Sequence, residues 1–200
     1  MKSLEFWVSI GSTYSYLSVS RIKKLSEQYK FHISWQPFSV RKLMMEMNNI
    51  PFTPPEKKSK SDYMWRDIER RSINYGLKAK LPAPYPLKEF DLANKLAVLA
   101  LNDGWIEKYI TKTYKLWFEE GVEAGSDQSI NKCLTDIGLN VPEILNKAGS
   151  SEIREKYILQ TDIARKKGIF GSPTFVVENE IFWGDDRLED AIKWLYGTNI

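Results

Sequence analysis

The chain has 200 residues, of which 42% are hydrophobic and 28% charged. This composition excludes an intrinsically disordered chain and fits one large domain, or one core with an insertion. The formal net charge is +3, and 29 lysines and arginines are spread among 26 acidic residues. Basic residues are therefore not concentrated as they are in a nucleic-acid-binding protein, and the net charge suits a small anionic ligand better.

The chain contains one cysteine, Cys133, and one histidine, His32. A single cysteine can form neither an internal disulfide nor a Cys-x-x-Cys pair, which excludes dithiol exchange. A single histidine excludes a multi-histidine metal site, and we expect no metal. We interpret Cys133 as a buried thiol in a helix over residues 130–137 and His32 as a strand residue, both structural.

The first nine residues lack the apolar segment of a signal peptide. The longest uninterrupted apolar run, residues 96–101, is far shorter than the ~20 residues needed to span a bilayer. We therefore expect a soluble, cytoplasmic protein without membrane partners.

A strand, a helix and a second strand are predicted within the first forty residues. Residues 4–10 alternate with a period of two, which is typical of a strand. Gly11 interrupts the alternation, and Ser12 is predicted to be the N-cap of the helix that follows. A second alternation, over residues 31–36, ends at Pro37. These elements predict a parallel βαβ unit with a right-handed crossover.

Helical patterns replace the alternation in the middle of the chain. Breaks that contain proline or glycine separate the individual segments. The predicted helices cover residues 63–75, 90–101, 106–118 and 130–137.

The last part of the chain returns to strand patterns. Residues 174–177 and 180–183 predict two short strands joined by a tight turn. A final helix is predicted over residues 187–196, with Asp185 or Asp186 as its cap.

The summed order is β-α-β, then helices, then β-β-α. This is the order of an α/β thioredoxin fold (βαβ–ββα) with a large all-helical insertion. We expect residues 1–40 and 168–200 to form a thioredoxin-like domain, and residues 41–167 to form a helical insertion domain.

The turn that contains Ser12 is the strongest local candidate for chemistry. In a βα unit this turn lies at the sheet edge where ligands bind, and the helix N-terminus carries a partial charge of ~+0.5. Ser12 could donate its hydroxyl proton to a thiolate there, while the helix end lowers the pKa of the thiol. Alternatively, Ser12 is only a helix cap that contributes ~1 kcal/mol. This segment alone favours the cap.

A proline, Pro173, opens the strand predicted from residue 174. The bond before a proline can be cis, since the cis form costs only ~0.5–1 kcal/mol there. A cis bond would turn the backbone of Ser172 toward the first βα turn, where its N–H and C=O could pair with an extended ligand. An ordinary trans proline at a strand start is equally compatible with the sequence.

Four segments spread along the chain form a recognisable set. They are Ser12-Thr-Tyr-Ser-Tyr-Leu17, Asp62-Tyr-Met-Trp-Arg-Asp67, Gly168-Ile-Phe-Gly-Ser-Pro-Thr-Phe175 and Phe182-Trp-Gly-Asp-Asp-Arg-Leu188. Together they resemble the 2-hydroxychromene-2-carboxylate isomerases, which belong with the kappa-class glutathione transferases and the periplasmic disulfide oxidoreductases. One departure is that Thr13 stands where relatives usually have proline.

The resemblance implies that glutathione is the cofactor and that Ser12 is the catalytic serine, hydrogen-bonded to the glutathione sulfur. The backbone of Ser172, before a cis Pro173, would hold the cysteinyl part. Asp185 and Asp186 would bind the γ-glutamyl end. Carboxylates at a helix start can bind an ammonium group, and we expect one of the two to do so and the other to cap the helix.

The resemblance also implies that Asn49 and Lys60 contact the tripeptide. Asp67 would reach across the interface of a homodimer.

An aromatic-substrate pocket between the two lobes is a further possibility. Its candidate side chains are equally typical of a core or an interface, which is the interpretation that we prefer for each one alone. They are Phe52, Trp65, Tyr85 and Trp117.

The sequence thus predicts a glutathione-dependent isomerase acting on a small aromatic carboxylate. The thiolate would add reversibly to a conjugated carbon, allow bond rotation and leave. Two alternatives remain open. One is a kappa-like glutathione transferase or peroxidase acting on electrophiles. The other is a non-catalytic thioredoxin-fold module that binds extended peptides along Ser172 and Pro173.

Overall fold

The computed structural model of the chain describes residues 2–49 and 55–197. Within these residues, four strands form one sheet in the order β2-β1-β3-β4. β1 and β2 pair in parallel, whereas β3 is antiparallel to both β1 and β4. The strands are β1 (Ser3–Val8), β2 (His32–Pro37), β3 (Thr174–Val177) and β4 (Glu180–Trp183).

One helix lies between β1 and β2, several lie between β2 and β3, and one follows β4, which is the predicted order and confirms the thioredoxin fold with a helical insertion. None of the helices in the described part of the chain is long and apolar enough to cross a membrane. The helices are α1 (Ser15–Tyr29), α2 (Val40–Glu46), α3 (Lys58–Asn74), α4 (Phe90–Asn102), α5 (Ile106–Lys115), α6 (Asp127–Asp136), α7 (Val141–Ala148), α8 (Ser151–Lys166) and α9 (Leu188–Leu195).

The observed element boundaries agree with the predicted ones at the hairpin and differ from them at two helices. Both strands of the predicted hairpin are confirmed residue for residue. α5 ends at Lys115, and a π-helical turn, Leu116–Glu120, continues it. α3 begins at Lys58, earlier than the predicted residue 63, because its first turn is polar and carries no apolar period.

The sheet is covered on both faces. Leu4, Phe6 and Val8 of β1 are fully buried in one apolar cluster, while Trp7, 1% exposed, belongs to a second cluster on the other face. The central strand is therefore apolar on both sides, as in sheets with helices on each face. Phe6 also links the strands, since its ring centroid lies 5.0 Å from that of Phe175 and 5.0 Å from that of Trp35.

The larger cluster joins the sheet to the helical insertion. Phe6 and Leu17, from the β-α-β part, belong to the same contiguous cluster as Leu96 and Trp117, from the helices that follow. The insertion therefore shares a core with the sheet. The boundaries 1–40, 41–167 and 168–200 stay a prediction.

The turn after β1 is held by two side chains of the insertion. The amide of Asn94 on α4 accepts from the N–H of Ile10 at 2.8 Å and donates to the C=O of Ile10 at 2.8 Å. The Tyr114 hydroxyl on α5 lies 3.0 Å from the C=O of Ser9 and 3.1 Å from that of Ser12. Both side chains are buried, so the insertion determines the path of this turn.

Asn94→Ala should lower the free energy of unfolding by about 2–4 kcal/mol, because it leaves buried backbone groups of Ile10 without partners. Urea unfolding followed by circular dichroism measures the change. Asn102→Ala, on the exposed end of the same helix, is the matched control and should change stability by less than about 0.5 kcal/mol. Equal stability of the two variants would contradict the proposed role of Asn94.

Candidate active site

Ser12 lies in the turn between β1 and α1, half-buried. Its hydroxyl donates to the C=O of Ser172 at 2.5 Å, and its N–H donates to the C=O of Ser9 at 3.1 Å. α1 begins only at Ser15, and its N-cap residue, Tyr14, provides no side-chain cap. The prediction that Ser12 caps the helix is therefore wrong, because the turn places it before the cap position and directs its hydroxyl to another loop.

The start of α1 offers free donors beside Ser12. The N–H groups of Thr13 and Tyr14 have no hydrogen-bond acceptor among the described residues. Unpaired N–H groups at a helix start, together with the helix dipole, favour a negative charge. The turn can thus stabilise an anion next to the Ser12 hydroxyl.

The peptide bond between Ser172 and Pro173 is cis, which decides between the two alternatives that the sequence left open. The Ser172 hydroxyl oxygen accepts from the N–H of Ser9 at 3.0 Å and lies 2.9 Å from the hydroxyl of Ser15. Ser172 therefore packs directly against the first βα turn. Its C=O is taken by Ser12, whereas its N–H has no acceptor among the described residues.

A cavity of about 350 Å³, here called the Pro173 cavity, opens beside this turn. A hollow of about 310 Å³, here called the Lys60 hollow, adjoins it through the shared side chains of Tyr14 and Tyr63. Ser172, Asp67 and Asp186 also line the Pro173 cavity. The structure thus brings most of the candidate residues to these two adjoining depressions, whereas Ser12 lies in the turn beside them and lines neither.

Asp67 holds the side chain of Tyr14 in place. The Tyr14 hydroxyl donates to Asp67 Oδ2 at 3.1 Å, and Arg70 donates to Oδ1 at 3.2 Å. Burial, with the adjacent Asp67 carboxylate, raises the pKa of Tyr14, so this hydroxyl stays protonated. Asp67 is thus bound within its own chain, and its contact across a dimer interface stays a prediction.

Asp185 is buried and fully engaged. One oxygen accepts from Arg21 at 2.9 Å and from Ser18 at 2.8 Å. The other accepts from Arg71 at 2.6 Å and lies 3.3 Å from the Tyr75 hydroxyl. Two guanidinium groups already neutralise this carboxylate, so it is not available to receive an ammonium group from a ligand.

Asp186 differs from its neighbour in exposure and pairing. Its carboxylate is about half exposed, at 48%, and pairs with Arg187 at 2.9 Å. A 3₁₀ turn, Asp185–Arg187, precedes α9, and neither this turn nor α9 has a side-chain cap. The capping prediction for Asp185 and Asp186 is therefore wrong. Asp186 remains as the accessible carboxylate at the Pro173 cavity.

Lys60 and Asn49 lie in different surroundings. Lys60 is exposed at the hollow named after it and forms no ion pair with the described residues. Asn49 is exposed after α2, where its N–H donates to the C=O of Met44 at 2.8 Å, and it lines neither depression.

The four aromatic candidates for the substrate pocket lie in different surroundings. Trp117 is fully buried in the core, and its Nε1 donates to the C=O of Pro84 at 2.7 Å. Trp65 and Tyr85 are half-buried and pack edge to face with centroids 6.0 Å apart. Phe52 lies outside the described residues.

Two residues that shape the site, Asn94 and Tyr114, were not identified from the sequence. Asn94 follows Phe90 by four residues and precedes Ala97 by three, so it falls on the apolar face of α4. A polar residue at such a position is a usable signal for a buried hydrogen-bonding role. Tyr114 continues an apolar face and carries no comparable signal.

Cys133 and His32 occupy the elements that the sequence predicted. Cys133 is buried in α6 with its sulfur 3.6 Å from the Thr113 hydroxyl, and burial raises the pKa of its thiol to about 11. His32 is exposed in β2. Among residues 2–49 and 55–197, no group of three histidine, cysteine or acidic side chains could hold a metal ion.

Asp185→Asn should lower the free energy of unfolding by about 3–5 kcal/mol, because it leaves the guanidinium groups of Arg21 and Arg71 without a buried counter-charge. Urea unfolding at neutral pH measures the loss. Asp186→Asn is the matched control one residue away and should change stability by less than about 1 kcal/mol. Similar losses in both variants would refute the distinct role of Asp185.

Cys133 should resist thiol reagents in the folded protein. With a pKa near 11, the thiolate is only about 0.1% of the thiol at pH 8, and burial also blocks access. Labelling with a chromogenic disulfide reagent should be slow in buffer and complete within minutes in urea. Rapid labelling of the folded chain would show that Cys133 is accessible.

The chain is similar to a curated protein over nearly its whole length. The chain is 24% identical over 194 residues to a 2-hydroxychromene-2-carboxylate isomerase of Sphingobium xenophagum, covering 97% of this chain and 98% of the relative. A relative of this name confirms the resemblance that the four motifs indicated.

Solved structures agree with this comparison. A structure of 2-hydroxychromene-2-carboxylate isomerase aligns with a TM-score of 0.85 at 23% identity, covering 97% of this chain and 96% of that one. The cytosolic disulfide reductase DsbM from Pseudomonas aeruginosa, solved with GSH, aligns with a TM-score of 0.67 at 14% identity, covering 98% of both chains. The model of the DSBA-like thioredoxin domain matches residues 3–193. The chain therefore belongs to the DSBA-like thioredoxin domain family.

Proposed function

We propose that the chain is a glutathione-dependent isomerase that acts on a 2-hydroxychromene-2-carboxylate-like intermediate of aromatic degradation. The curated relative and the solved structure that carry this name support the reaction class. The observation that carries the proposal is the contact of the Ser12 hydroxyl with the backbone of Ser172, directly before a cis proline and beside a cavity.

The donor set around the Pro173 cavity fits the chemistry of glutathione. A thiolate needs hydrogen-bond donors, which Ser12 and the free N–H groups of Thr13 and Tyr14 supply. The cysteinyl backbone needs a donor and an acceptor, and Ser172 has both an N–H and a C=O at the site.

The charges of the depression also match the tripeptide, which has two carboxylates and one ammonium group. Lys60 lines the adjoining hollow without an ion pair among the described residues and is a cation suited to a carboxylate, whereas Arg71 at the Pro173 cavity is already paired with Asp185. Asp186 is the accessible carboxylate for the ammonium group, since Asp185 is already neutralised.

The Ser12 hydroxyl and the C=O of Ser172, two groups that are proposed to contact glutathione, are hydrogen-bonded to each other. The Ser12 hydroxyl donates to the C=O of Ser172 at 2.5 Å. If Ser12 rotates to donate to a sulfur instead, the C=O of Ser172 becomes free to accept from the amide of the ligand. One side-chain rotation therefore provides both contacts.

Glutathione would supply a thiolate nucleophile that adds reversibly to a conjugated carbon of the ring-opened substrate, permits bond rotation and is then expelled. The Ser12 hydroxyl and the start of α1 would stabilise the negative sulfur and lower the pKa of the thiol. The Ser172 backbone would orient the ligand, so the chain contributes positioning and pKa control.

Ser12→Ala should lower glutathione-dependent turnover of 2-hydroxychromene-2-carboxylate by about tenfold or more, since a positioned donor to an anion contributes ~2–4 kcal/mol. The absorbance of the bound thiolate, followed in a glutathione titration, should fall in parallel. Ser26→Ala removes an exposed hydroxyl from the same helix and is the matched control, with wild-type rate and titration expected.

The outcomes separate the candidate functions. A wild-type rate in Ser12→Ala would remove this hydroxyl from the mechanism. Glutathione binding and conjugation of electrophiles, without turnover of the chromene carboxylate, would assign a kappa-like transferase. Failure of glutathione to bind in calorimetry would leave the peptide-binding module.

A further inference from the structure

A second cavity, of about 470 Å³, lies between α2, α4 and α8. This cavity, here called the Arg41 cavity, shares no lining residue with the Pro173 cavity or the Lys60 hollow. Its volume falls in the range of small-molecule sites, which is roughly 300–1,000 Å³. Its apolar wall comes from Met45, Phe90, Tyr157 and Ile158.

Four cationic side chains line the same cavity: Arg41, Lys42, Lys95 and Arg154. Among the described residues, Arg41, Lys95 and Arg154 form no salt bridge with any carboxylate. Elsewhere on the described surface, basic side chains commonly pair with acidic neighbours, as Lys167 does with Glu5. Three unpaired cations around one apolar hollow are therefore a local excess of positive charge.

The two acidic residues of the cavity offset this excess only in part. Asp91 accepts from the buried Tyr157 hydroxyl at 3.0 Å, and because this donor is neutral, Asp91 keeps its negative charge. Glu46 accepts two hydrogen bonds from Arg165, at 2.9 and 2.7 Å, and is neutralised by it. The remaining charge on the wall is positive.

Arg41 is positioned by the aromatic wall itself. Its guanidinium carbon lies 4.4 Å from the centroid of the Phe90 ring, a distance typical of a cation–π contact. Stacking of this kind orients the planar guanidinium while leaving its edge donors free for a carboxylate. Phe90 thus presents both an apolar surface and a fixed cation to the cavity.

We propose that the Arg41 cavity binds a small aromatic anion, at a site separate from the proposed glutathione site. An inorganic anion would leave the apolar wall unused, and a neutral aromatic compound would leave the cations unpaired. An aromatic ring with one acidic group satisfies both. The inference does not depend on the proposed function, since no residue of the Pro173 cavity takes part.

The test is a calorimetric titration with 2-naphthoate, with 2-naphthamide as the neutral comparison, on the wild type and on Arg41→Gln/Arg154→Gln. The double variant should bind 2-naphthoate at least about tenfold more weakly, because charge-assisted hydrogen bonds are lost. The control Lys24→Gln/Lys108→Gln changes the net charge equally at two exposed lysines that line none of the three cavities. It should bind as the wild type does.

Two further measurements use only the wild type, so they test the proposal even if the double variant folds poorly. The affinity for 2-naphthoate should fall as salt is added, and 2-naphthamide should bind more weakly. Salt-independent binding, equal binding of the two probes, or an equal loss in the lysine control would overturn the proposal. Displacement of 2-naphthoate by glutathione would overturn the separate site, and equally strong displacement by inorganic phosphate would overturn the aromatic class. Glutathione binding itself is measured independently, so the two proposals fail separately.

Discussion

Ser9 and Ile10, at the end of β1 and the start of the following turn, are buried, so their backbone polar groups need partners within the protein. Asn94 satisfies both the N–H and the C=O of Ile10, and Tyr114 serves the carbonyl groups of Ser9 and Ser12. These partners belong to the helical insertion, more than eighty residues later in the chain. The insertion therefore does more than cover the sheet, because without it the turn that carries Ser12 has no defined path.

A buried ion cluster around Asp185 holds further elements of the fold together at the Pro173 cavity. Asp185 joins Ser18 and Arg21 of α1 to Arg71 of α3. A buried carboxylate is tolerated only when counter-charges and hydrogen bonds surround it, so the three elements are bound to one geometry. The turn that contains Asp186, and the guanidinium of Arg71 that lines the cavity, are positioned by this cluster. The buried ion cluster therefore fixes the position of residues that line the proposed ligand site.

The Pro173 cavity and the Arg41 cavity differ in the charges that they present. The Pro173 cavity presents the accessible carboxylate of Asp186, and Lys60 lies at the adjoining hollow, a combination that suits a zwitterionic peptide. The Arg41 cavity presents unpaired cations over an apolar wall, which suits an aromatic anion. The modest net charge of +3 does not reveal this division, because it depends on which acidic groups are already paired.

The sequence by itself excluded one class of chemistry and determined the order of the elements. One cysteine excluded dithiol exchange, and the periods of two and 3.6 predicted the βαβ unit, the final hairpin and most of the helices, since these features depend on neighbours in the chain. Only the tertiary structure decided that neither Ser12 nor Asp185 caps a helix, which was one of the roles that the sequence offered for each, and which groups they contact instead. Their partners, Ser172 for one and Arg21 and Arg71 for the other, are more than a hundred residues away. A local pattern records no such contact, because hydrogen bonds and ion pairs of this kind exist only after the chain has packed.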